Sequence, residues 1–136
     1  VTTAPEVLPH IAAVTAVLEA VPLTVYLAGA PRGPDPLPKT YAVLYSAPGT
    51  VEAASLADDR TVLDLLVQVT CVATTAEGAI GTRDRVAAAL ADPLTVDGRA
   101  CWKPELLGGP PEQRDDDLTK PLWYLPVQYR LRSLSA

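Results

Sequence analysis

The sequence has no phenylalanine, methionine or asparagine, one histidine, two cysteines and three lysines. Each shortage narrows what the chain can do. With His10 as the only imidazole and Cys71 and Cys101 far apart, no ligand set has the spacing of a structural or catalytic zinc site. The lysines, Lys39, Lys103 and Lys120, stand singly, no Lys/Arg run occurs, and the formal net charge is -5 with a pI of about 4.7. That balance argues against a protein whose main task is to neutralise phosphate. No apolar run approaches the roughly 20 residues that span a bilayer. The first residues lack the charged start and apolar core of a signal peptide, so synthesis in the cytoplasm is expected. The cysteines, in apolar strand-like surroundings, read as reduced core thiols. Glycine-rich phosphate loops and a Gly-x-Ser-x-Gly elbow are absent.

What remains suits one compact domain over residues 1–136. Hydrophobic residues make up 49% and charged residues 20% of the 136, enough apolar surface for a core and too little charge for wholesale disorder. With aromatics at 5%, Leu, Val and Ala must fill that core. Val7, Ile11, Val14, Leu18 and Val21 recur at helical spacing, predicting a helix over about 3–20 capped by Thr3, provided that Pro9 lies in the first turn. Strands are expected at 23–27 and 41–45, the second closed by an Ala47-Pro48-Gly49 turn. Ser55 to Arg60 reads as a loop or single turn. In the strand 63–73, Leu63, Leu65, Val67, Val69, Cys71 and Ala73 share a face. Leu66 and Val72 on the other face suggest that it too is partly covered. A second helix follows a Thr74-x-x-Glu77 capping box, with Ile80, Arg83, Val86 or Ala87, and Leu90 on one side. A short strand at 94–96 turns at Asp97-Gly98 and returns over 99–106. The final strand, 122–134, alternates strongly and needs Pro126 at an edge or bulge. Two stretches, 29–39 and 107–120, are too rich in Pro and Gly for strands and read as long, mobile loops. The economical arrangement is α+β: a mostly antiparallel twisted sheet with two helices packed on one face.

No enzyme class emerges. His10 has no acidic or thiol neighbour in sequence and reads as a surface or helix-face residue. Asp58-Asp59-Arg60 suits turn capping or an ion pair better than acid–base work, which needs opposed carboxyls with separated pKa values. Asp115-Asp116-Asp117 lacks the alternation, central glycine and closing glutamate of a calcium loop. It reads as a solvated charge run or a contact for a basic partner. Trp102, Trp123 and Tyr124 have no interleaved basic residues and read as core or interface packing. No catalytic residue, metal or cofactor is expected.

Several phrases together resemble tail terminator proteins of long-tailed phages that infect actinobacteria. They are Tyr41-Ala-Val-Leu-Tyr45 before a Pro-Gly turn, Ser55-Leu-Ala-Asp-Asp-Arg60, Leu66-Val-Gln-Val-Thr-Cys-Val72, Arg83-Asp-Arg-Val-Ala-Ala-Ala-Leu90, Leu94-Thr-Val-Asp-Gly-Arg99 and Tyr124-Leu-Pro-Val-Gln-Tyr-Arg-Leu131. The absence of Asn, with Ile only at 11 and 80, points to a GC-rich genome and agrees with such a source. The resemblance implies a virion structural protein at the tail–neck junction. It would form a homo-hexameric ring on the last ring of tail-tube protein, stop its polymerisation, and meet a head-side connector or stopper, with DNA only passing through. Under it, the loops 29–39 and 107–120 are candidate assembly contacts, with Arg32, Lys39, Arg114, Asp115, Asp116, Asp117 and Lys120 as polar contributors. The alternatives are another neck, head-closure or tail-tube protein, or a small bacterial binding module.

Overall fold

The computed structural model describes residues 5–31, 36–53, 61–116 and 121–135. Its elements in order are α1 (Leu8–Glu19), β1 (Val25–Leu27), β2 (Thr40–Ser46), β3 (Thr50–Ala53), β4 (Thr61–Ala73), α2 (Ala76–Ala89), β5 (Arg99–Cys101), β6 (Glu105–Gly108), β7 (Gln113–Asp115) and β8 (Leu122–Ser135). The expected class holds: an α+β fold in which a mostly antiparallel sheet carries two helices. Thr3 and Ser55 to Arg60 lie outside the described residues. Helix α1 begins later than the apolar stripe alone suggests, at Leu8, which puts Pro9 in the first turn, where a missing N–H costs little.

The sheet is organised by its two longest strands. β4 and β8 pair antiparallel from Val62↔Leu134 to Ala73↔Trp123. β2 and then β3 run along the free side of β4, and β1 joins β2 as the one parallel pair among the described residues. Ser46 lies opposite Val67 and Thr50 opposite Asp64, so residues 47–49 face only residues 65–66. The Ala47-Pro48-Gly49 segment is therefore a bulge inside one interrupted strand, which corrects the closing turn read from sequence. The Ala47 N–H still bonds Leu66 O at 3.0 Å, and Gly49 takes the positive φ of 80° that the kink requires.

The other edge is built the same way. β5, β6 and β7 follow one another along β8, and the register slips by one residue at each interruption. The long loop expected over 107–120 thus contains the end of β6 and all of β7. A Gly/Pro-rich chain can do this at an edge, where only one side must supply ladder hydrogen bonds. Asp97-Gly98 makes only the single bridge Val96↔Arg99, because β5 pairs with β8 and not with 94–96. Pro126 sits in an internal strand, yet its carbonyl lies against Gly109 in the break between β6 and β7. A residue's N and C=O point the same way across a strand, so the missing N–H faces that break.

Every residue expected on the inner face of β4 is buried, and α1 and α2 lie over it. Ile11, Val14 and Leu18 of α1 meet Leu65, Val67, Val69, Val127 and Leu131, with Val86 and Leu90 added from α2. The α2 cap is Thr75, one residue past the expected Thr74, and its hydroxyl accepts the Gly78 N–H at 3.0 Å. That shift turns Ala79, Thr82, Val86 and Leu90 inward and leaves Ile80 exposed. Arg85 donates to the Val21 and Pro22 carbonyls and ties α2 to the chain leaving α1. Both cysteines are free. Cys71 lies opposite Leu125 and Cys101 opposite Ser133, about 26 Å apart along β8 at the usual strand rise. Burial pushes the Cys71 thiol up to about 12.

Candidate assembly surface

Among the described residues, the face of the sheet away from the helices is covered at one end only. There Tyr41, Val43 and Val72 are buried under Tyr26, Ala30, Leu122 and Tyr124, with Tyr26 and Tyr41 meeting edge to face at 5.5 Å. Ala28, at φ 60°, helps turn the chain over this end, and its N–H bonds Leu44 O at 2.8 Å. Val72 and Leu66, the apolar exceptions on the polar side of β4, therefore have different fates. Val72 is buried, whereas Leu66 stands 45% exposed beside Tyr45 at 44%.

Around Leu66 the face is hollowed by the bulge. One hollow of about 390 Å³ is walled by Ala47, Pro48, Gly49, Thr50, Asp64, Leu66 and Arg130. A second, of about 240 Å³, adjoins it between Tyr45, Gln68 and Gln128. Charges frame the open end. Arg130 Nε donates to both Asp64 oxygens at 2.9 and 3.1 Å, its Nη2 adds a further bond, and Glu105 lies 4.0 Å from it across the strand. Arg130 holds the Asp64 carboxyl below the usual carboxylate range, and Asp64 in turn raises the guanidinium. Arg132, directly opposite Asp64, instead lies over the Trp102 ring at 5.3 Å. This corrects the reading that the tryptophans have no basic companion. Trp102 and Trp123 do not share a platform, because Trp123 pairs with Ala73 on the helix side.

The sequence-predicted contact residues lie elsewhere. Thr40, Ala73, Trp123 and Arg114 stand side by side across β2, β4, β8 and β7, so Lys39 and the β7 residues share one end of the sheet, about 14 Å apart at normal strand spacing. Lys39 and Arg114 are exposed. Arg114 pairs with Asp116, and half-buried Asp115 accepts from the Tyr124 hydroxyl at 3.4 Å. Arg32, Asp117 and Lys120 lie outside the described residues.

The sequence reading missed a polar cluster at the opposite end. His10 is buried on α1 at 2% exposure, so of the surface and helix-face readings the helix-face one holds, and Ser133 is at 0%. His10 Nδ1 donates to Glu6 O at 2.7 Å, and the Ser133 hydroxyl donates to His10 Nε2 at 2.7 Å. A carbonyl only accepts, which fixes the tautomer. Arg99 donates to Ser133 Oγ at 3.0 Å, Ser133 O at 2.8 Å, Thr61 Oγ1 at 3.2 Å and Thr61 O at 3.0 Å. The Thr61 N–H then reaches Ser135 Oγ at 2.8 Å. A serine on a histidine suggests nucleophile and base, but a fully buried hydroxyl meets no substrate, so the pair is structural. The signal was present in the alternation: Ser133 and Ser135 continue the apolar face of β8, and His10 lies one helical turn from Val14.

Among the described residues no three His, Cys, Asp or Glu side chains are grouped to hold a metal, and no helix is long and apolar enough to cross a membrane. No protein-family model and no curated protein matches the chain. In fold it is similar to a chain solved in the virion of a native gene transfer agent particle, with a TM-score of 0.59 and 21% identity over 91% of this chain and 93% of that one. At that identity the likeness is one of fold.

Proposed function

We propose that the chain is a structural protein of a phage-like virion and, within that class, a tail terminator. It would cap the tail tube as a homo-hexameric ring, stop tube growth, and offer a surface to the head-side connector while DNA passes through. The observation that carries the reading is the fold likeness to a virion chain along almost the whole length of both proteins. Of the phrases that resemble tail terminators, residues 41–45, 66–72 and 124–131 fall in β2, β4 and β8, and 83–89 in α2. The exposure of Leu66 and Tyr45 supports it too, since large apolar side chains beside a bulge-walled hollow are the kind of surface that assembly buries. A closed ring would join one patch on each subunit to a different patch on the next. In this role the protein catalyses nothing, takes no cofactor, and is made in the host cytoplasm before joining the virion at the tail–neck junction.

The test is native mass by light scattering over a concentration series at two salt levels, with and without tail tubes. A closed hexamer, or a monomer that becomes one on the tube end, is expected. Open-ended filaments would instead identify a tube subunit, and a strict monomer indifferent to tubes would favour a binding module.

The candidate contact end gives a sharper expectation. Reversing Asp115, Asp116 and Asp117 to lysine should weaken ring formation or tube capping without unfolding the monomer, although it removes the Tyr124–Asp115 bond and the Arg114–Asp116 pair. Assembly and capping equal to wild type would remove the acidic run from the interface.

A further inference from the structure

We infer that His10 is a proton-sensitive latch that holds the first turn of α1 against the end of the sheet and lets go when the imidazole is protonated. The inference rests on the geometry of the cluster and is independent of the virion reading. In the docked state every polar atom of the ring is used: Nδ1–H on Glu6 O, and the Nε2 lone pair on the Ser133 hydroxyl. Ser133 Oγ is already the acceptor for Arg99 Nε. A proton on Nε2 would turn that nitrogen into a second donor aimed at the same oxygen. The Ser133 hydroxyl hydrogen would then lose its acceptor in a place with no access to water.

Charge opposes protonation as well. Among the described residues, the groups facing His10 are Arg99 from β5, the Ser133 hydroxyl from β8 and the Glu6 carbonyl from its own segment, with Thr61 of β4 bonded to Arg99 behind them. The charged one among them is a cation, and no carboxylate among the described residues bonds the ring. Burial and Arg99 accordingly hold the imidazole below its ordinary range. The sign follows. A histidine depressed in the docked state favours docking above the ordinary value of about 6.5. Docking weakens as the pH falls from there to the lower docked value, and the effect then levels off.

Release is local because α1 is joined to the sheet mainly by Ile11, Val14, Leu18 and this cluster, whereas the β4–β8 ladder does not depend on it. The measurement is amide hydrogen exchange of Leu8 to Val14 and of Leu65 to Cys71 between pH 7.5 and 4.5, corrected for intrinsic exchange. Opening of the helix should rise with falling pH, by at most about tenfold per pH unit, the limit for one linked proton, while the β4 amides hold. In His10→Gln the helix opening should be flat with pH. Overturning results are a flat wild-type profile, an equal slope in the variant, or β4 opening in step with α1. Should the variant not fold, the wild type still decides. His10 is the sole histidine, so its imidazole gives one NMR titration. A lowered midpoint that coincides with loss of α1 protection upholds the latch, and an ordinary midpoint with α1 still docked refutes it.

Discussion

Leu65→Ala should lower the unfolding free energy by about 2–5 kcal/mol, whereas Leu66→Ala, one residue along the same strand, should stay within about 0.5 kcal/mol. Leu65 is 1% exposed in the centre of the core, between the helices and β8. Truncating it removes buried methyl groups and leaves a cavity that a close-packed sheet and two helices cannot collapse. Leu66 points to the other face and is already wet. Urea titrations of the two variants measure the difference directly. A charged version separates stability from assembly: Leu66→Asp should fold normally, yet fail to form the ring or cap the tube if the open face is an assembly contact. A Leu66→Asp protein that assembles like wild type would move the contact to another surface, with the β7 end next in line.

Gly109→Val should destabilise by about 1–3 kcal/mol and do so by lifting the sheet edge. A Cβ at Gly109 would lie 2.2 Å from the Pro126 carbonyl oxygen and 3.2 Å from its carbon. Both are backbone atoms of an internal strand, so no rotamer change relieves the overlap. The chain between β6 and β7 must then move away from β8. Amide exchange should rise in Glu105–Gly108 and Gln113–Asp115, with little change in β4. Gly81 is the contrasting case. It stands within α2 with nothing within 4 Å of a built Cβ. Gly81→Ala should therefore stabilise by about 0.5–1 kcal/mol through helix propensity. Equal melting behaviour of the two glycine variants would contradict the close approach of Gly109 to Pro126.

The parts of the fold legible in the sequence are those governed by periodicity. The inner face of β4 follows from strict alternation, and α1 follows from its three-and-four spacing with Pro9 as the boundary condition. What periodicity does not encode is the partner of an edge. Residues 105–108 and 113–115 are strands because β8 is long enough to template them, a tertiary cause that overrides local Gly/Pro chemistry. The bulge at 47–49 looks like a turn for the same reason: Pro48-Gly49 marks a kink without saying whether pairing resumes beyond it. At the candidate site, Leu66 was flagged by its place on the polar side. The Asp64–Arg130 pair was not, because its partners are 66 residues apart and meet only across the β4–β8 register. The burial of His10 was not legible because its side-chain partner, Ser133, lies at the far end of the chain.

The central ladder has a kinetic consequence. β4 and β8 hold the sheet together, yet all of residues 74–121 separate them, including α2 and the edge strands. A loop that long must close before the first β4–β8 hydrogen bond forms, and closure entropy is lost ahead of any return from pairing. β6 and β7 cannot form earlier as a hairpin, because their hydrogen bonds run to β8 and not to each other. The contacts that define the molecule are therefore non-local ones, which places its folding toward the slow, millisecond-to-second end of small domains. On a ribosome, residues 61–73 could pair with β2 and β3, which precede them, but their other flank would stay open until 122–135 had emerged. During that interval the apolar face of Leu63, Leu65, Val67 and Val69 is the stretch most in need of a chaperone's shelter.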